Sequence, residues 1–256
     1  MTVKTSKQTD HGFDGISDKF AKNIYGTTKG QLRHALLCHH LTSLGFVDKA
    51  PMQVLDSGCG LGHMAEFFAH AGHDVHGIDI SSESITYARQ AAVNQHLNID
   101  YTIGSLQSVT RQYDLIINHA VLEWLHEPYE AINLLLKQVN TGGHLSLSFF
   151  NKEALTFGNL VYGNFDYVKS GLKVKKKVRL NPQQPLSVKA VITYLNNLSH
   201  IEVVHQAGIR CIHDYMRDLE HQTIHYEALL DAEIKYSTQS PYMWLGKYFH
   251  IVLRKI

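Results

Sequence analysis

The sequence predicts an α/β protein with a mainly parallel sheet and helices on both of its faces, and three observations carry that expectation. From Pro51 to Phe150 short apolar runs alternate with segments of helical period, the pattern left by strand–helix–strand crossovers. A glycine-rich turn, Gly58-Cys59-Gly60-Leu61-Gly62, joins the first apolar run to the first of those helices. The chain has 256 residues, 44% of them hydrophobic and 18% charged. That is long enough to close a large core and too apolar for a disordered chain.

Each element follows in order along the chain. Residues 1–12 are polar and read as a disordered tail. The apolar positions Phe13, Ile16, Phe20 and Ile24, then Leu32, Leu36, Leu37 and Leu41, recur at helical spacing, and the turn from Tyr25 to Gly30 divides them into two helices. Residues 53–57 form a buried strand, Gly58 to Gly62 a turn, and residues 63–71 a helix stopped by Gly72. Residues 74–80 are the second strand; Ser81 caps a helix with Glu83 in its first turn that runs to about His96. Residues 101–104 and 113–119 are the third and fourth strands. Pro128 suits the first turn of a helix reaching Val139, and Thr141-Gly142-Gly143 turns the chain into a fifth strand, residues 144–150. The order then breaks. Residues 151–185 hold a helix near Ala154 to Tyr162, the loop Gly163-Asn164-Phe165-Asp166-Tyr167, and a basic run closed by Pro182 and Pro185, an insertion over the sheet edge. Ser187 caps a helix to about Leu198, residues 201–209 are a sixth strand, Asp214 to Tyr236 one long amphipathic helix, and residues 248–254 the last strand.

Composition excludes several classes of protein. Cys38, Cys59 and Cys211 are odd in number and far apart, so they give neither a disulfide framework nor a Cys-x-x-Cys metal knuckle, which suits a reducing compartment. The chain carries 18 histidines, yet no His-Glu-x-x-His pair occurs, and adjacent His39 and His40 would point to different faces of a helix. The expectation is no metal, with the histidines at the surface or hydrogen-bonded in the core. No apolar run reaches the roughly 18 residues of a membrane span, and residues 1–12 lack the apolar middle of a secretion signal, which makes the cytoplasm the expected location.

In open parallel sheets ligands settle beyond the carboxyl ends of the strands. Asp79 ends the second strand about 20 residues beyond Gly58, the offset at which a carboxylate accepts hydrogen bonds from ribose hydroxyls. A ligand containing adenosine is therefore expected. The spacing Gly58-x-Gly60-x-Gly62 is one residue short of the dinucleotide fingerprint, so a seat for a diphosphate is not clearly present. Asp56 within the motif favours a cationic ligand, and S-adenosylmethionine fits better than NAD.

Several stretches narrow the reading further. The glycine motif with Asp79, and a closing strand after a long connection, resemble the Rossmann-like class I methyltransferase fold, which implies a seven-stranded sheet with an antiparallel last strand. The stretches Phe20 to Arg33, His119 to Trp124, Gly163 to Val168 and His213-Asp214-Tyr215 resemble the bacterial tRNA 5-carboxymethoxyuridine methyltransferase family, from about Phe13 to Lys255. That resemblance implies S-adenosylmethionine as cofactor and the methyl ester of 5-carboxymethoxyuridine at the anticodon wobble position as product. By position it implies cofactor contacts at Arg33, Gly58, Cys59, Asp79, Leu106, Gln107 and His119. Cys59 stands where the family pattern has another glycine, and Leu106 where it has alanine. The implied organisation is capping helices at 13–50, the cofactor core at 51–150, the insertion for tRNA at 151–185, and residues 186–256 completing the same sheet domain.

The insertion also carries a signal of its own. Lys169, Lys173, Lys175, Lys176, Lys177 and Arg179 are basic with no acid among them, in a chain of formal net charge +1, and Phe165 and Tyr167 lie beside them. Aromatic rings next to cations hold single-stranded nucleic acid, and an anticodon loop is such a target; a solvated charged face and two core rings are the alternative. A substrate carboxylate is ionised at neutral pH and can attack a sulfonium methyl unaided, so no catalytic base is required. Arg210, His213 and Tyr215 are the candidates for steering that carboxylate, unless Arg210 pairs with Asp214. A methyltransferase for a small-molecule acid, and a catalytically silent binding module, are the rival readings.

Overall fold

The computed structural model describes residues 26–173 and 184–256. The tail at 1–12, the helix expected from Phe13, and Lys175, Lys176, Lys177 and Arg179 lie outside the described residues. The sheet contains β1 (Gln53–Ser57), β2 (Asp74–Asp79), β3 (Asp100–Ile103), β4 (Tyr113–His119), β5 (Val139–Phe150), β6 (Ile201–Ile209) and β7 (Tyr248–Lys255). The helices are α1 (Thr28–Ser43), α2 (His63–His70), α3 (Ser82–Asn94), α4 (Pro128–Gln138), α5 (Lys152–Tyr162), α6 (Phe165–Lys169), α7 (Val188–Asn196), α8 (His221–Ile224) and α9 (Tyr226–Tyr236). The seven strands lie in the order β3-β2-β1-β4-β5-β7-β6, β7 alone running antiparallel to its neighbours β5 and β6. The fold is the one expected.

Alternation along the strands builds a core on each face. Leu115 and Ile117 of β4 pack with Leu32, Leu36, Leu41, Phe68 and Ile85 beneath α1, α2 and α3. Ile116, with Leu145, Leu147 and Phe149 of β5, packs against Ile132, Leu135 and Val191 from α4 and α7. The capping side chains sit where the sequence puts them: Ser81 accepts the Ser84 N–H, and Ser187 the Ala190 N–H. Asn151 accepts the N–H groups of Glu153 and Ala154 at the start of α5, and Gly163 at φ +86° ends that helix. β1 lies between β2 and β4, so connections diverge there and a crevice opens at its carboxyl end.

Three expectations are revised. The fifth strand starts at Val139 and carries Thr141-Gly142-Gly143 within it; pairing with β4 shifts register between Tyr113 and Leu115, and Gly142 at φ +80° absorbs the irregularity. The single helix expected from Asp214 to Tyr236 is instead a 3-10 turn at His213–Tyr215 followed by α8 and α9. Long-range bonds override its helical period: the Tyr215 hydroxyl donates to Leu245 O at 2.9 Å, and Gln222 Nε2 to His213 O at 2.9 Å. The insertion leaves from the carboxyl end of β5, an interior strand, and a bridge between Asn151 and Leu186 draws its end back there. Its root is therefore on the rim above β5 and β7, not at a sheet edge. Among the described residues no helix is long and apolar enough to cross a membrane.

Candidate active site

The turn after β1 takes its shape from glycine. Gly58, Gly60 and Gly62 have φ of +76°, +52° and +90°. A Cβ on Gly58 would stand 2.4 Å from Val121 Cγ2, whereas one on Gly60 would meet nothing within 4 Å, so the backbone is open to a ligand at that point. The N–H groups of Gly58, Cys59, Gly60 and Gly62 are taken up within the protein. Gly58 and Cys59 donate to Ile78 O at 2.7 and 3.0 Å and Gly62 to Cys59 O at 2.9 Å, while Gly60 donates to Asp79 Oδ2 at 2.9 Å. A diphosphate is held by outward N–H donors, so this turn suits a ligand that brings donors of its own.

Asp79 is half-buried at the end of β2, and its Oδ1 accepts the Ser81 N–H at 2.9 Å. The two backbone contacts fix the carboxylate at the rim. Asp56 is buried and accepts the Ala65 N–H at 3.1 Å, bracing the turn against α2. Burial, against that hydrogen bond and aided by the Asp79 charge, pushes its pKa up to about 7. Cys59 is buried, and burial followed by the Asp56 and Asp79 charges raises its thiol well above the ordinary range, which makes it a packing residue and not a nucleophile. Leu106 and Gln107 lie on the 3-10 turn after β3, the first half-buried and the second exposed. S-adenosylmethionine fits this set: a carboxylate for the ribose, a loop for the adenine, acidic groups and inward N–H groups for a cationic ligand.

A second group of residues gathers at the end of β4. His119 Nε2 lies 2.8 Å from Ser146 Oγ, and its Nδ1 is buried without a hydrogen-bond partner. Burial, then the charges of Arg33 and His34, lowers its pKa to about 3, so the ring is neutral. Ala120 follows at φ +59°, a strained conformation of the kind concentrated at working sites. From α1 the Arg33 guanidinium carbon lies 5.4 Å from the Tyr248 ring centroid, and the two side chains are hydrogen-bonded. The Arg210 guanidinium carbon is 5.7 Å from the same centroid, so Tyr248 at the head of β7 takes two cations. Glu123 is fully buried and neither carboxylate oxygen has a hydrogen-bond partner. Burial, opposed by its own backbone N–H, then by the Arg33 charge and the Phe150 N–H, pushes its pKa up to about 7. The sequence reading missed Glu123 and Tyr248. For Glu123 the available signal was a carboxylate inside the apolar run Val121 to Leu125.

The candidates for steering the substrate divide. Arg210, at φ +63°, forks onto Asp214 with Nε–Oδ2 at 2.8 Å and Nη2–Oδ1 at 3.1 Å, the pairing weighed as its alternative. Burial alone would raise the Asp214 pKa, but the His213 ring beside it and the Arg210 charge hold it at about 2. His213 is fully buried, with Nε2 3.3 Å from Thr28 Oγ1 and Nδ1 3.3 Å from Asp214 Oδ2. The N–H groups of Cys211, Ile212 and His213 converge on the Glu233 carboxylate at 2.7 to 2.9 Å. His213 and Tyr215 thus brace the loop, and Arg210 alone of the three presents its charge to Tyr248. On the insertion, Phe165 is 64% and Tyr162 83% exposed; Tyr167 is half-buried, and Lys169 and Lys173 are exposed.

A methyltransferase domain family model matches residues 30–214. The tRNA 5-carboxymethoxyuridine methyltransferase of Escherichia coli strain K12 is 40% identical over 253 residues, 96% of this chain and 97% of that protein. The chain belongs to the tRNA 5-carboxymethoxyuridine methyltransferase family. By contrast, a ubiquinone biosynthesis O-methyltransferase of Pectobacterium atrosepticum is 31% identical over 115 residues, 43% of this chain and 48% of that one. Likeness to that methyltransferase is confined to less than half of the chain. The magnesium protoporphyrin IX methyltransferase of Synechocystis PCC 6803, crystallised with S-adenosylhomocysteine, shares the fold with a TM-score of 0.62 at 18% identity, over 95% of each chain. The methyltransferase described here has a sheet rim of two parts: a glycine turn after β1, and Tyr248 at the head of β7 with Arg33 and Arg210 against its ring.

Proposed function

We propose that this methyltransferase transfers a methyl group from S-adenosylmethionine to the carboxylate of 5-carboxymethoxyuridine at the wobble position of a tRNA anticodon, forming the methyl ester, in the cytoplasm. The observation that carries the reading is the 40% identity extending over 97% of a protein of that name, through the insertion and the β6–β7 half as well as the cofactor core.

When bound, S-adenosylmethionine supplies an electrophilic methyl group on a sulfonium. Asp79 holds the ribose, Leu106 and Gln107 border the adenine, and the backbone at Gly58 and Cys59 borders the methionine part. Arg33 pairs with an anionic group through its planar fork. No side chain has to remove a proton, because the attacking carboxylate is ionised at neutral pH. The chain's task is alignment, worth roughly 7 to 11 kcal/mol when reacting groups are held in line. Arg33 and Arg210 flank Tyr248. With the Arg210 fork occupied by Asp214, the positive field remaining at that rim favours the approach of the substrate carboxylate. Glu123, about half protonated at neutral pH and largely so below because burial raises its pKa to about 7, adds less negative charge to oppose it than an exposed carboxylate would. Tyr162 and Phe165 offer faces on which unstacked bases rest, with Lys169 and Lys173 beside them for phosphates.

Purified protein incubated with methyl-labelled cofactor and tRNA lacking the ester tests this directly. The expected result is label on a nucleoside that digestion and mass spectrometry identify as the methyl ester. Label on a small acid but not on tRNA, or no transfer with the cofactor bound, would reject it.

A further inference from the structure

On β5 and β7 the buried Ser146 and His250 alternate with Leu145, Leu147, Phe249 and Ile251, which pack on the α4 side, so the two polar side chains lie on the α1 side next to Val252. His40 from α1 descends onto that polar face, and His205 of β6 completes a group in which one ring nitrogen from each of His40, His205 and His250 lies within 4.8 Å of the others. We propose that these three histidines form a binding site for a divalent first-row metal ion of the zinc class.

The contacts around the group turn the Nδ1 atoms of His40 and His250 toward each other. Ser237 Oγ donates to Ile234 O, so its contact with His40 Nε2 at 3.0 Å is an N–H donated by the ring. His40 is neutral, burial having lowered its pKa to about 3, and its lone pair is therefore on Nδ1. His250 Nδ1 is 3.2 Å from that atom, and its own Nε2 lies 2.9 Å from Ser146 Oγ. Two histidines whose distal nitrogens are tied to hydroxyls are the usual second layer of a metal site. In a tetrahedral site with bonds of 2.0 to 2.1 Å, ligand nitrogens stand about 3.3 Å apart. The His40–His250 edge already has that length. His205 Nε2 is buried with no hydrogen-bond partner, and one nitrogen of that ring lies within 4.8 Å of a nitrogen on each of the other two, which leaves about 1.5 Å at most to close. Neutral imidazoles select zinc, cobalt, nickel or copper over the hard cations.

Occupancy would be felt in the reaction chamber. Ser146 has one proton to place between His250 Nε2 and His119 Nε2. An ion on His250 Nδ1 puts that ring's proton on Nε2, so Ser146 donates to His119 Nε2 and the His119 proton moves to the buried Nδ1. With no ion, His250 Nδ1–H donates to His40, the chain reverses, and His119 presents a lone pair instead. No proton is gained or lost overall, but as the ion binds His119 Nδ1, buried without a partner, changes from an acceptor to a donor.

The test uses untagged full-length protein stripped with a chelator and titrated with Co²⁺. The expected result is one equivalent bound with the intense visible bands of a four-coordinate ion, displaced by Zn²⁺. His205→Ala, at a half-buried position, should abolish the bands while thermal melting shows it folded. Should it fail to fold, His205→Gln serves. The double variant His221→Ala, His225→Ala removes an exposed ring pair 4.9 Å apart and should leave the bands intact. Absence of bands at one equivalent, their survival in both His205 variants, or their loss with the exposed pair overturns the site. Nitrogen NMR of the His119 ring reads the tautomer, and an unchanged ring on adding Zn²⁺ overturns the coupling.

Discussion

The two halves of the sheet rim are built by opposite means. On the β1–β2 side the shape comes from a backbone turn with three left-handed glycines, to which Asp79 is tied through the Gly60 N–H. On the β4–β7 side the backbone is strained at Ala120 and Arg210, and large charged or aromatic side chains, Arg33, Glu123, Arg210 and Tyr248, converge from separate elements. The first half is set by short-range sequence. The second is assembled from contacts that only the closed fold brings together.

The comparison breaks most visibly at Gly58. Gly58→Ala imposes both an unfavourable φ and a clash at 2.4 Å with Val121, each costing about 1 to 3 kcal/mol. Because Val121 belongs to the β4 side, this change should damage both halves. Calorimetry with S-adenosylhomocysteine is expected to show affinity reduced more than 100-fold, and methyl transfer should fall with it. Asp79→Ala should be smaller and one-sided. Losing hydrogen bonds to a charged group costs about 1.5 to 3 kcal/mol, or roughly 10- to 150-fold in cofactor affinity, with the KM for tRNA unchanged. Asp79→Asn, which keeps one acceptor for the Gly60 N–H, separates loss of the ribose contact from collapse of the turn.

The halves also differ in how far the chain could be read in one dimension. The strands, the caps at Ser81 and Ser187 and the glycine turn were legible because their causes lie within a few residues. Asp79 was legible because one strand and one helix set its distance from the turn. The break at Tyr215 was not, since the hydroxyl's partner Leu245 is 30 residues away and local period favours a helix. Tyr248 gave no local sign that two arginines from distant elements would meet it. The histidine group was hidden for the same reason: His40 and His250 are separated by 210 residues, and no local motif links them. Alternation of Ser146 and His250 with apolar neighbours was the only trace.

On the substrate side the expected effects are smaller and leave cofactor binding alone. Phe165→Ala and Tyr162→Ala remove exposed rings, and each base that stacked on one loses about 1 to 3 kcal/mol. The KM for tRNA should rise accordingly while the Kd for S-adenosylhomocysteine stays fixed. Rings that are merely surface decoration would leave both unchanged. Replacing Lys169 or Lys173 with Ala should lower the slope of log affinity against log salt by about 0.7 to 0.9 for each phosphate left without its cation.

The smallest effect is the most specific to carboxylate chemistry. Glu123 has its pKa raised from 4.5 to about 7, so the folded state holds a proton that the unfolded state releases near 4.5. Stability therefore falls as pH rises from about 4.5 through 7 and levels off above, where both states are ionised. Asp56, raised to about 7 for the same reason, contributes a parallel slope, so Glu123→Gln should remove part of the decline in urea midpoint and not all of it. In activity the sign is the same. Above pH 7 the ionised Glu123 beside Arg33 weakens the pull on an incoming carboxylate, and kcat/KM for tRNA should drop a few-fold by pH 8.5. Glu123→Gln, neutral throughout, should hold its kcat/KM level across that range. A drop of equal size in the variant would assign the titration to another group and return Glu123 to the core as packing.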